Sequence, residues 1–137
     1  MGTPDNVQAL AVLADGARAV YQFSGVTPVG GGMAIRLFGG EGMLHYDLES
    51  DRLSGLSRRD AAGSKGPTEI PVPPEKRGGW RVEADWVDSI RTGSPVRFTD
   101  FAAGVAYMEF TEAVARSAAR GAAVDLPLLE MVKGGAD

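Results

Sequence analysis

The sequence predicts an α+β fold: an open, mostly antiparallel sheet of about five or six strands, with two helices packed on one face. Residues 7–58 alternate between apolar and polar side chains in short runs joined by tight turns, as in a β-meander. Residues 81–121 instead carry apolar side chains at helical spacing. The 19 glycines and 8 prolines in 137 residues favour many turns over a helical bundle.

Five strands are predicted in the first half of the chain, followed by a loop. The strands cover residues 7–13, 17–26, 33–38, 43–48 and 52–58. Asp15 and Gly16 favour a type I′ hairpin turn between the first two strands. Because the other connections are also short, sequential neighbours are expected to pair. Glycines and prolines in residues 60–79 predict a loop with a short edge strand over residues 68–72.

Two helices are predicted in the second half. Four-residue spacing of apolar side chains predicts the first over residues 81–92, and the second begins at a cap formed by Thr99 or Asp100 and ends at Gly121. Residues 123–126 predict a last strand, and residues 127–137 a tail. The second helix has a predicted buried arc of Ala103, Tyr107, Phe110, Val114 and Ala118. Its predicted solvated arc comprises Glu109, Glu112, Arg116 and Arg120.

Composition argues against several classes of protein. Without cysteine there is no disulfide and no Cys-ligated metal, and the single histidine, His45, rules out a multi-His site. A net charge of -4 gives no reason to expect nucleic acid as a partner. No apolar run approaches the ~20 residues that a membrane span needs. We therefore expect a single domain over residues 1–137, located in the cytoplasm, with neither membrane nor nucleic acid as a partner.

The two faces of the predicted sheet differ in character. One is apolar and suits a covering layer of helices; it comprises Tyr21, Phe23, Ile35, Leu37, Leu44 and Tyr46. The other mixes polar and apolar side chains and is the candidate interface; it comprises Arg18, Val20, Gln22, Arg36, Phe38, Met43 and His45. Such a face is typical of an interface or a ligand floor, but apolar residues scattered singly are also normal on any surface. Both interpretations stay open at this point.

His45 and Asp47 are the first candidate pair for chemistry. A histidine titrates near neutrality and can act as a general acid or base, and Asp47 lies two residues further along the same face. A single histidine in the middle of a strand is more often structural. The pattern therefore favours a non-catalytic role.

Glu109 and Glu112 are the second candidate pair, one helical turn apart. They could share a metal, but no histidine lies beside them and Arg116 follows Glu112 by four residues, which favours a solvated ion pair. Trp80 and Trp86 are interpreted as core anchors rather than a stacking site for a cofactor. The sequence therefore predicts no catalytic, cofactor-binding or metal-ligating residue.

Five short sequence segments, in the same order along the chain, resemble segments of one protein family. Residues 86–95 (WVDSIRTGSP) are similar to the F-V-D-A-I-R-T-G-x-P stretch near the C-terminus of Gfo/Idh/MocA-type oxidoreductases, relatives of glucose–fructose oxidoreductase and inositol dehydrogenase. Residues 112–126 (EAVARSAARGAAVDL) resemble the closing E-A-x-x-x-S-A-x-x-G-x-x-V-x-L of that family. Weaker likenesses lie at residues 14–17 (ADGA), 39–44 (GGEGML) and 99–104 (TDFAAG). The resemblance covers residues 6–126.

The resemblance implies the C-terminal domain of an NAD(P)-dependent oxidoreductase acting on a sugar or polyol. In that family the domain forms part of the substrate pocket, and its sheet face packs against another subunit. The nucleotide-binding fingerprint and the Glu-Lys-Pro segment of the family have no counterpart in this sequence. The implied chain therefore binds no cofactor itself, needs a Rossmann domain to bind substrate, and is inactive alone, while NAD or NADP belongs to the full-length parent.

Two other interpretations of the function stay open. A stand-alone module on the same fold would self-associate through Val20, Phe38 and Met43. A small enzyme would use His45 and Asp47. In the first, as in the oxidoreductase interpretation, we expect a homo-oligomer formed through the open sheet face.

Overall fold

Six strands and two α-helices make up the computed structural model, which describes residues 4–27, 32–63, 66–96 and 100–128. In chain order the elements are β1 (Asn6–Val12), β2 (Arg18–Ser24), β3 (Ala34–Gly39), β4 (Gly42–Asp47), β5 (Arg52–Ser57), β6 (Thr68–Glu69), a 3₁₀ turn (Pro74–Lys76), α1 (Val82–Thr92) and α2 (Phe101–Arg120). All described strand pairs are antiparallel. The α+β class with antiparallel strands is thereby confirmed.

The strands form two sheets rather than one meander. β1 and β2 pair as a hairpin, and β3, β4, β5 and β6 form a four-stranded sheet in sequence order. The larger sheet thus has fewer strands than predicted. The chain divides into two compact units, residues 1–78 with the strands and residues 79–137 with the helices. The single domain over residues 1–137, and the packing of helices on one sheet face, stay predictions.

The hairpin turn between β1 and β2 differs from the predicted type I′. Gly16 has a left-handed φ of 86°, but Asp15 has not, and type I′ requires both. The Gly16 N–H donates to the Leu13 carbonyl at 2.9 Å, and the Leu13 N–H to the Ala17 carbonyl at 2.8 Å. This is a three-residue loop, a type I turn closed by a left-handed glycine. The Asp15 carboxylate stabilises it by accepting the Ala17 N–H at 2.9 Å.

Both helices end where the sequence predicts. Gly93 (φ 70°) follows α1 and Gly121 (φ 64°) follows α2, each in the left-handed conformation that glycine adopts without strain. The carboxylate of Asp100 caps α2 by accepting the Ala103 N–H at 2.8 Å. Thr99, the alternative cap, lies outside the described residues, as does the predicted tail beyond Leu128.

The predicted arcs of α2 are partly wrong. Tyr107, expected inside, is 63% exposed, whereas Glu109, expected in solvent, is only 9% exposed. The reason is the path of the chain after the helix: the Leu128 N–H donates to the Glu109 carboxylate at 3.2 Å in a buried setting. Ala113 and Leu128 are the buried apolar residues of the described stretches. Residues 123–126 form no strand.

The two tryptophans are not core anchors in this structure. Trp80 is 81% exposed and Trp86 is more than half exposed. The indole N–H of Trp80 donates to the Glu83 carboxylate at 2.9 Å and so ties the residue to the first turn of α1. Of the helices in the described stretches, neither has the length and apolar character needed to cross a membrane.

Candidate functional site

The register of the four-stranded sheet brings four of the predicted interface residues onto one face. Arg36 lies opposite His45, and Phe38 lies opposite Met43. Directly opposed residues of antiparallel strands share a face, so all four side chains do. We call this surface the mixed face. It comprises Ala34, Arg36, Phe38, Met43, His45, Asp47, Arg52, Ser54, Leu56 and Glu69.

A polar row crosses the middle of the mixed face. It runs from Arg36 through His45 and Ser54 to Glu69, one residue from each strand. The Arg52 guanidinium lies 4.0 Å from the Glu69 carboxylate and extends the polar row. Both charged side chains are well exposed, so this ion pair adds little to stability. The row instead offers alternating charge and hydrogen-bonding groups to whatever covers it.

An apolar row lies beside the polar one. Phe38 on β3, Met43 on β4 and Leu56 on β5 oppose one another in register. Phe38 is 76% exposed, whereas Met43 and Leu56 are half-buried. Apolar and polar rows side by side give the composition of a protein interface, in which an apolar patch is bordered by polar groups.

His45 lies at the centre of the mixed face with an unpaired ring atom. Its Nε2 is buried, and no hydrogen-bond partner is found for it among the described residues. Ser54, directly opposite, donates its hydroxyl to the His45 backbone carbonyl at 3.4 Å and not to the ring. A buried ring nitrogen without a partner is unfavourable. A group donated from a covering surface would relieve that cost.

Asp47 is engaged in a turn rather than in a dyad with His45. Its Oδ1 accepts the backbone N–H of Glu49 at 3.0 Å and that of Ser50 at 2.9 Å. The hydrogen bonds from Ser50, and to a smaller extent the one from the Glu49 N–H, hold the pKa of the Asp47 carboxyl below its usual value. No hydrogen bond joins the two side chains within the described residues. The arrangement therefore gives no support to a catalytic His45–Asp47 pair.

An open depression of about 340 Å³ lies in the polar part of the mixed face. Its lining residues are His45, Asp47, Ser50, Arg52, Leu53, Ser54, Pro67 and Glu69. Within the stretches that the structure describes, no group of three or more His, Cys, Asp or Glu side chains could hold a metal ion. The lining offers hydrogen-bond donors and acceptors and side chains of both charges, so the depression is suited to binding polar groups.

The remaining predicted residues, Arg18, Val20 and Gln22, lie on the hairpin. They share one face of β2 with three residues of β1 that oppose them, and Val20 lies opposite Leu10. Both apolar side chains are largely exposed, Val20 at 75%. The structure thus distributes the candidate interface over two sheets.

The opposite face of the four-stranded sheet is apolar, as the alternation predicts. Leu44 lies between Leu37 and Gly55 across the strands, and Tyr46 lies between Ile35 and Leu53. A Cβ on Gly55 would come within 2.9 Å of the Ile70 side chain and 3.0 Å of the Leu44 side chain. Glycine at this position therefore lets the Ile70 and Leu44 side chains pack directly against the buried backbone of β5.

Several residues of the mixed face were not predicted from the sequence. Ser54 and Leu56 alternate along β5, a period-2 signal that was available in the sequence. Glu69 gives no such signal, because β6 is only two residues long and its register is set by pairing with β5.

Comparisons of the chain with protein-family models, with curated proteins and with solved structures find no match.

Proposed function

We propose that this chain is the C-terminal substrate-binding and oligomerisation domain of an NAD(P)-dependent oxidoreductase that acts on a sugar or polyol in the cytoplasm. The observation that supports it most is the mixed face, where exposed Phe38 adjoins a polar row centred on His45. The five ordered segments that resemble Gfo/Idh/MocA-type enzymes, and the antiparallel α+β fold, agree with the same assignment.

The cofactor is assigned to a different domain. A dinucleotide binds at the switch point of parallel strand–helix–strand units, with its phosphates on a helix N-terminus. The strands among the described residues pair only antiparallel, so these residues do not fit NAD or NADP. We therefore assign the nucleotide and hydride transfer to the Rossmann domain of the parent enzyme, and no chemical step to this chain.

The mixed face is proposed to contact another subunit. A partner would cover the apolar row of Phe38, Met43 and Leu56 and could supply a hydrogen bond to the buried Nε2 of His45. Apolar residues at the centre of such a patch are the ones whose loss weakens association most. We expect a homo-oligomer.

Sedimentation equilibrium of a matched pair of variants tests this contact. Met43→Glu places a charge in the apolar row and is expected to weaken self-association by about tenfold or more. Met108→Glu makes the same substitution at an exposed position of α2 and is expected to leave association unchanged. Circular dichroism of both variants checks that the fold is retained. A strictly monomeric wild-type chain at high micromolar concentration, or equal effects of the two substitutions, would contradict the contact.

The alternative is a stand-alone module that self-associates on the same fold. The largely exposed apolar side chains of Phe38 and Val20 favour it, because they need no second domain to form an interface. Fluorescence titration with NADH and NADPH, followed by activity assays with sugars and polyols, tests both candidates. Both predict no turnover by the isolated chain. Turnover by this polypeptide alone would overturn both.

A further inference from the structure

β3 forms one outer edge of the four-stranded sheet, and its free backbone groups can be assigned. The Leu48 N–H donates to the Met33 carbonyl at 2.8 Å, so this opposed pair is hydrogen-bonded. Hydrogen-bonded pairs alternate along antiparallel strands, so Ile35 and Leu37 also direct their backbone groups toward β4. Ala34, Arg36 and Phe38 therefore direct theirs outward, where no described strand pairs with them.

The outward edge of β3 lacks the features that normally prevent pairing. It is six residues long, contains no proline, carries Arg36 as its one charged side chain and keeps an unbroken register with β4. Native proteins usually protect such edges with charges, prolines, bulges or short strands. The opposite edge of the sheet is protected in this way, because β6 has only two residues and is followed by Pro71 and Pro73.

We propose that β3 pairs with β3 of a second copy of this chain, antiparallel and about a two-fold axis, to give a continuous eight-stranded sheet. Because the other edge of the four-stranded sheet is protected, edge pairing through this sheet joins two copies and does not continue further. The hydrogen bonds of this pairing come from the β3 edge, and of the mixed face only its β3 residues lie at the contact. The pairing does not depend on the oxidoreductase assignment.

The chemistry of the strand selects one register. Residues whose backbone groups point away from β4 must lie opposite residues of the same kind in the second copy. Only the registers centred on Arg36 or on Leu37 meet this condition with five residues of each β3 strand overlapping. Centring on Arg36 would place two guanidinium groups directly opposite each other, which is destabilising. Centring on Leu37 places each Arg36 opposite Phe38 of the other copy, a favourable cation–aromatic pairing, and places the two Leu37 side chains together on the apolar face. The Leu37-centred register is therefore assigned.

Single-cysteine variants test the register directly, because the chain has no cysteine of its own. In the assigned register the two Leu37 residues form a non-hydrogen-bonded pair with Cα atoms about 4.5 Å apart, within reach of a disulfide. In a glutathione redox buffer, Leu37→Cys is expected to form disulfide-linked dimers about tenfold or more faster than Thr68→Cys, an exposed control on the opposite edge. Faster linkage of Arg36→Cys than of Leu37→Cys would overturn the register. Equal rates for all three would overturn the edge pairing.

A proline substitution tests the pairing without a new covalent bond. Arg36→Pro removes an outward N–H and leaves every hydrogen bond between β3 and β4 in place. It is expected to weaken dimerisation by about tenfold or more in sedimentation equilibrium. Arg36→Ala keeps the N–H and loses only the cation–aromatic contact, so it is expected to weaken the dimer less than Arg36→Pro does. Circular dichroism verifies that both variants keep the sheet. Unchanged dimerisation of Arg36→Pro would overturn the proposal.

Discussion

Replacing Glu109 by alanine is expected to destabilise the helical unit of the chain by about 2 kcal/mol. Glu109 is buried, and its Oε1 accepts the Leu128 N–H at 3.2 Å. Removing the carboxylate leaves that buried N–H without its acceptor, and an unsatisfied buried donor costs about 1–3 kcal/mol. Glu109→Gln keeps an oxygen acceptor in the same place and is expected to cost less than half as much, about 1 kcal/mol or below.

Urea unfolding followed by far-UV circular dichroism measures this loss, since both α-helices lie in the unit formed by residues 79–137. Glu112→Ala on the same helix is the control: it removes an exposed ion pair with Arg116, N···O 2.7 Å, and is expected to cost only about 0.3–0.5 kcal/mol. If Glu109→Ala were no more destabilising than Glu112→Ala, the burial of Glu109 and its bond to Leu128 would be refuted as a source of stability.

Two further predictions concern the four-stranded sheet. Gly42→Ala is expected to destabilise it by roughly 1–3 kcal/mol, because at φ 153° a Cβ would clash with the Leu56 carbonyl oxygen. Gly40→Ala is the control in thermal unfolding, since its Cβ would meet nothing within 4 Å, and equal losses for the two variants would contradict the close approach at Gly42. The hydrogen bonds from Ser50 lower the pKa of the Asp47 carboxyl in the folded chain. The stability that these bonds contribute is therefore fully present above the unfolded-chain pKa of about 3.9 and is lost as the pH falls through the lower folded-state pKa. An NMR titration of the Asp47 carboxyl carbon should give a midpoint below about 3.9, and Asp47→Asn should remove this part of the acid dependence; a midpoint at or above that value would contradict the hydrogen-bonded turn.

Local features of the fold were predictable from the sequence. Alternation along β4 separates Leu44 and Tyr46 from His45 and Asp47, and the observed register confirms that separation. The Asp100 cap and the stop at Gly121 were also predictable, because a cap and a left-handed glycine act on their immediate neighbours. Patterns with a period of two or 3.6 residues report which face a side chain occupies.

Features set by the distant path of the chain were not predictable. Alternation assigns faces but not partners, so it did not reveal that the strands divide into a hairpin and a four-stranded sheet. The helical projection sorted Glu109 by its polarity and placed it in solvent, whereas its environment depends on Leu128, 19 residues later. Of the predicted interface residues, Arg36, Phe38, Met43 and His45 share a face of the four-stranded sheet, whereas Arg18, Val20 and Gln22 lie on the separate hairpin. The sequence did not predict Glu69, which reaches the mixed face only through the pairing of β5 with β6.

Sequencing the DNA immediately upstream of the codon for Met1 tests the oxidoreductase assignment most directly. The assignment predicts an in-frame open reading frame that encodes a glycine-rich G-x-G-x-x-G turn between a strand and a helix, followed by a Lys-Pro segment. A stop codon and an intergenic boundary directly upstream would contradict it and leave the self-associating module as the function of this chain.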